Sequence, residues 1–180
     1  MDVGINERSI SFTSEYDIST PTGEYYARKE FFSFTDNLEL RTASGDVVAK
    51  IEGEISPLRH KHDFHFSDGR EYSFGCEKLW TKVYACVGNG ETYKLYEHRG
   101  LNYSIFKDDR QIAAFSKNRV VFAKGNQYDV RLDHDADLIV ILCMVLTINS
   151  SENDDDDSTV TIDLGNLIQD HPFDESWEPR

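Results

Sequence analysis

This chain has little that would staple, anchor or interrupt it. Its 180 residues include only three cysteines and four prolines. Cys76, Cys86 and Cys143 contain no CxxC pair and do not make a disulfide framework, so a reducing, cytoplasmic compartment is expected. Scarce proline leaves regular elements uninterrupted. Positive charge is short as well. The 19 Lys and Arg face 33 Asp and Glu for a net charge of −14, which excludes binding to nucleic acid or an anionic membrane by bulk charge alone. The first residues, Met-Asp-Val-Gly-Ile-Asn-Glu-Arg, show no basic stretch leading into an apolar one, so no secretory signal is expected. Long hydrophobic runs are missing too, with one exception.

The exception is Leu138 to Ile148, Leu-Ile-Val-Ile-Leu-Cys-Met-Val-Leu-Thr-Ile, which has no polar face at either a helical or a strand period. It is too long for an ordinary strand, and Asp133, Asp135 and Asp137 precede it, the residue type that caps helices and suits their positive end. A helix is expected from about Asp135 to Asn149, with Leu138, Ile139, Ile141, Leu142, Val145 and Leu146 as its core contacts. At about 1.5 Å per residue the run covers roughly 16 Å, half of a hydrocarbon core of about 30 Å. A buried helix, not a transmembrane span, is the reading that fits.

Before it the chain alternates. Phe32, Phe34, Leu38 and Leu40 lead into Ala43-Ser44-Gly45-Asp46, and Val47, Ala49 and Ile51 lead out. The unit recurs around Ser67-Asp68-Gly69, Gly88-Asn89-Gly90, Lys107-Asp108-Asp109-Arg110 and Lys124-Gly125-Asn126, with Val120-Val121-Phe122 as one late strand. Asp-Gly and Asn-Gly between alternating apolar residues are strong hairpin signals, because the tight turns need positive φ. A mainly β protein follows, an antiparallel meander of about ten strands closed or nearly closed around the helix. A sandwich with the helix on one open face is the alternative, but such a helix would carry a polar stripe. Residues 1–23 read as a leading arm with one edge strand. Residues 150–180, with ten acids against a single Arg and the run Asp154 to Asp157, read as an acidic tail: a solvated linker, then Leu167, Ile168, Phe173 and Trp177 dispersed among acids, which read first as a mobile tail and second as a segment that docks back on the barrel or on a partner.

Several of these stretches together resemble the LURP-one-related family: Tyr26-Ala-Arg-Lys-Glu-Phe-Phe-Ser-Phe, Ser44-Gly-Asp-Val-Val-Ala-Lys-Ile-Glu-Gly, Ile112-Ala-Ala-Phe-Ser-Lys, Tyr128-Asp-Val and Asp135-Ala-Asp-Leu-Ile-Val-Ile-Leu. That family is grouped with tubby C-terminal domains and phospholipid scramblases. The resemblance covers about residues 24–149 and implies a barrel of roughly 12 strands around one central C-terminal helix. Its motifs are turn and core motifs, which speak to fold more than to chemistry.

Candidate chemistry is sparse. In His60-Lys-His62-Asp63-Phe-His65, strand alternation lets at most two imidazoles converge, short of what zinc needs. Asp133, Asp135 and Asp137 open like a calcium loop, but its sixth and twelfth positions hold Leu138 and Met144 in place of Gly and Glu. Capping is the stronger reading, Ca²⁺ the weaker. There is no Gly-x-Ser-x-Gly, no Gly-rich loop entering a helix, and alternation puts Cys76 in the core, so no enzyme and no cofactor are expected. The basic residues Arg59, Lys61, Lys78, Lys82, Lys94, Arg99, Lys117 and Arg119 punctuate the strands. The resemblance turns them into a first expectation: a non-catalytic binding module for phosphoinositide or other lipid head groups, peripheral at the membrane. The alternative is a protein–protein adaptor regulated by its acidic tail, and a scramblase-like lipid activity comes third.

Overall fold

At Asn89-Gly90 the backbone turns through φ values of 50° and 75°, and at Asp108-Asp109 through 49° and 60°. Two successive left-handed residues are what a two-residue hairpin needs to match the right-handed twist of its strands. A computed structural model describes residues 1–10, 13–29, 37–53, 61–78, 82–119, 126–153 and 171–180. It contains the strands β1 (Asp2–Ile10), β2 (Thr13–Thr20), β3 (Gly23–Lys29), β4 (Leu38–Thr42), β5 (Val47–Gly53) and β6 (Lys61–Phe66). These are followed by β7 (Glu71–Lys78), β8 (Val83–Gly88), β9 (Glu91–His98), β10 (Asn102–Lys107), β11 (Arg110–Arg119), β12 (Asn126–Leu132) and one helix, α1 (Leu138–Asn153). The expected strand positions Phe32, Phe34 and Val120–Phe122 lie outside the described residues, as do Arg59, His60, Lys124, Gly125, Asp154–Asp157, Leu167 and Ile168.

Each strand pairs antiparallel with its chain neighbour, and β1 pairs with β12 from Asp2↔Arg131 to Asn6↔Gln127. The sheet is therefore a closed barrel with no edge to protect. Register shifts at Leu40/Arg41, Cys76/Lys78 and Ile105/Phe106 bend it toward closure. Gly88 serves a different purpose. A Cβ there would lie 2.0 Å from the carbonyl oxygen of Glu71, so only glycine lets the β7 and β8 backbones approach this closely.

Twelve strands enclose more space than inward side chains can fill. Helix α1 occupies that space. Val140 to Ile148 are all buried, packed with inward residues such as Ile5, Ile18, Leu40, Ile51, Phe64 and Leu95. Leu138 and Ile139 are partly buried at the mouth. Thr147, the polar member of that run, donates its hydroxyl to the Cys143 carbonyl at 2.8 Å and so leaves nothing for the core to satisfy. No helix among the described residues is long and apolar enough to cross a membrane.

Three expectations are corrected. Residues 1–23 are no leading arm with one edge strand, because β1 and β2 are full members of the barrel. The alternation in β1 is masked by an inward carboxylate, Glu7, which Ser14 Oγ and Asn126 Nδ2 satisfy at 3.1 and 2.6 Å. The helix starts at Leu138 and not at Asp135, since Asp133 to Ala136 close a turn, Ala136 N–H to the Asp133 carbonyl at 3.2 Å. Cys76 is only half-buried, its strand being shifted at the adjacent bulge, and Cys86 takes the core position instead.

Candidate binding surface

Helix α1 enters the barrel at the end where the tight turns lie. There the three aspartates divide their work. Asp137 is the N-cap: one carboxylate oxygen accepts the Ile139 and Val140 N–H groups at 3.1 and 3.2 Å, and the other pairs with Arg70. Arg70 also binds Asp68 at 2.8 Å and lies 4.9 Å over the Phe66 ring, so the β6–β7 turn is tied to the cap. The hydrogen bond to Asp137 holds the Arg70 guanidinium firmly charged. Asp135 meets Arg110 at 2.9 Å, and that hydrogen bond lowers its carboxyl below the usual range. Asp133, 1% exposed, accepts the Arg180 backbone N–H at 2.8 Å, with Arg110 3.8 Å from its other oxygen.

Beside them Glu91 accepts the hydroxyls of Tyr72 and Tyr93 at 2.7 and 3.0 Å and the Lys107 ammonium at 2.6 Å. The Lys107 hydrogen bond, followed by those from the tyrosines, brings its carboxyl down to about 2. An open concavity of about 340 Å³ lies at this rim, lined by Lys107, Arg110, Ile112, Asp135 and Ala136 among others. The aspartates thus answer guanidinium and amide groups. Among the described residues no three His, Cys, Asp or Glu side chains converge on a metal-sized site. His62 points into the barrel with Phe64 and Phe66, whereas His65 lies outside beside Glu71 at 3.2 Å.

Several of the expected basic residues are answered by acids or by the wall itself. Lys61, Lys82 and Lys94 pair with Asp63, Glu97 and Glu77. Lys117 is buried inside the wall, its ammonium 6.0 Å from the Tyr128 ring centre.

A second surface lies on the outer wall of β9 to β11. On β9 to β11 the alternation places Tyr93, Leu95, Tyr103 and Ile105 inside, yet the outward Tyr96, His98, Ser104 and Ala114 are buried as well. The C-terminal segment covers them. The His171 ring lies 5.0 Å from Tyr96 and 4.3 Å from Phe106, and the Phe173 ring lies 5.2 Å from His98. His98 Nε2 and Ser104 Oγ, 2.7 Å apart, join the two strands beneath. The segment turns at Asp174, whose carboxylate accepts the Ser176 N–H and hydroxyl at 2.9 and 2.6 Å. It ends against the turn before the helix: Arg180 N–H to Asp133, and His134 N–H to the Arg180 carbonyl at 2.9 Å. A second concavity, about 310 Å³, remains open beside Phe173 between Asn102, Ala114, Arg131 and Glu175. The sequence did carry a signal for this wall. Leu95-Tyr96, Ile105-Phe106 and Ile112 to Phe115 set apolar residues side by side, the pattern of strands covered on both faces.

A family model described as LURP-one-related matches residues 1–149. The chain belongs to the LURP-one-related family. The match starts at residue 1, in accord with β1 and β2 being barrel strands, and it stops within α1, so His171 to Arg180 lie outside it. No curated protein and no solved structure matches the chain. LURP-one-related membership suggests a non-catalytic binding module.

Proposed function

We propose that this LURP-one-related chain is a non-catalytic protein-docking module, with the outer wall of β9 to β11 as its docking face and its own C-terminal segment as a removable cover. The observation that carries this is the burial of outward-facing Tyr96, His98 and Ala114 beneath residues 171–180. A barrel closed by its own hydrogen bonds does not need that cover to complete its sheet. An aromatic patch bared by its removal is of the kind that marks protein interaction sites.

The lipid reading keeps one place of support, the rim concavity that Lys107 and Arg110 line. A head group there must displace Asp135 from Arg110 and meet a chain of net charge −14. Co-sedimentation with neutral and phosphoinositide-containing vesicles, run with uptake of an apolar dye, separates the two readings. The docking reading expects Phe173→Ala to take up dye and neither chain to bind vesicles. Head-group-dependent sedimentation that Phe173→Ala leaves unchanged would put the lipid reading first, and a Phe173→Ala chain that takes up no dye would remove the docking wall.

A further inference from the structure

The covering segment also states what kind of partner fits the wall. Its two rings stand two residues apart, at His171 and Phe173, one against Tyr96 and Phe106 and the other against His98. Acidic residues follow at once, Asp174 and Glu175, with Glu178 beyond. Glu175 lines the same groove as Arg131 and Asp129, both on the outer face of β12, and Arg131 is the one basic side chain among the described residues that line it. The end of the segment is held through backbone groups, at Asp133 and His134, which any sequence except proline can supply.

Because the segment is joined covalently to α1, its docking is intramolecular. A competing peptide faces an effective concentration on the order of millimolar. To win, it has to make contacts that the tail does not make. The open groove of about 310 Å³ beside Phe173, with Ala114 on its floor and Arg131 at its side, is the space for them.

Resting on the docking-wall reading, we propose that the ligand of this wall is a linear segment of a partner protein with the tail's chemistry: two ring-bearing residues two apart, then acids, plus one apolar side chain that enters the open groove. The chain's own residues 171–180 are a built-in competitor of that segment.

The test uses the full chain, as wild type and as Phe173→Ala, with fluorescent peptides read by anisotropy and with dye uptake measured in parallel. One peptide is His171 to Arg180, a second carries Phe173→Trp, a larger ring that extends into the groove while every acid is kept, and a third has lysines in place of its acids. The expected result is at least tenfold tighter binding of the first peptide to Phe173→Ala than to wild type, tighter binding still of the second, and loss of binding by the third. Equal binding to both chains would overturn the competitor role. Equal binding of the third peptide would overturn the acidic requirement, and no gain by the second would overturn the groove. If Phe173→Ala takes up dye but binds no peptide, the partner chemistry is wrong and the docking wall stands. If it does neither, the wall reading itself has failed.

Discussion

Asp137 joins the helix cap to the barrel rim, and its replacement separates two contributions. Asp137→Ala removes the acceptor of the Ile139 and Val140 N–H groups, a loss of about 0.5–2 kcal/mol for an N-cap. It also removes the Arg70 pair. With side chains 32% and 26% exposed, that pair is partly screened and contributes roughly 0.2–1 kcal/mol, the more so because Arg70 keeps Asp68. The alanine variant is therefore expected to lose about 1–3 kcal/mol, a fall in Tm of roughly 2–10 °C for a chain of this size. Asp137→Asn keeps an acceptor oxygen for the cap and loses only the charge pair, so about 0.2–1 kcal/mol is expected. Urea unfolding followed by circular dichroism gives both numbers. Equal losses in the two variants, or a loss under about 0.3 kcal/mol in Asp137→Ala, would refute the capping argument. The same samples address calcium. Since guanidinium and amide groups already answer the aspartates, millimolar Ca²⁺ against chelator is expected to leave Tm unchanged, and a rise abolished by Asp137→Ala would reinstate a metal site.

Glu91 provides a pH signature. Its carboxyl is lowered from 4.5 to about 2, so its contribution is complete above about pH 4.5 and lost as pH falls toward 2. The full shift is worth about 3 kcal/mol; with the carboxylate a third exposed, about 1–2 kcal/mol is expected in acid titrations of stability, and Glu91→Gln should flatten that part of the curve. Leu142→Ala, in the fully buried centre of α1, is expected to cost about 2–5 kcal/mol by denaturant unfolding; a cost under 1 would mean that the helix does not fill the barrel. Gly88→Ala drives a methyl into the Glu71 carbonyl and is expected to lose about 1–3 kcal/mol, against near neutrality for a strand that could yield. Burial pushes the Cys86 thiol up to about 12 and the Cys143 thiol well above its usual value. Alkylation at pH 8 should therefore label half-buried Cys76 in the native chain and the other two only at the rate of unfolding; prompt labelling of Cys143 would contradict its place in the core.

Local conformations and the centre of the molecule were legible in the residues themselves. Asn89-Gly90 and Asp108-Asp109 turn where their residue types say they turn, because left-handed backbone is a local preference. Val140 to Ile148 is buried all round because a helix with no polar face has no stable exposed orientation. Tertiary structure decided what lies far apart in the chain. The β1–β12 pairing that closes the barrel joins Asp2 to Arg131, and nothing local distinguishes a closing strand from an edge strand, least of all one with Glu7 turned inward. The two-sided apolar pattern of β9 to β11 announced a cover without saying what it was. That His171 and Phe173 provide it depends on the shape of a wall assembled from three strands, a surface that exists only once the barrel has formed.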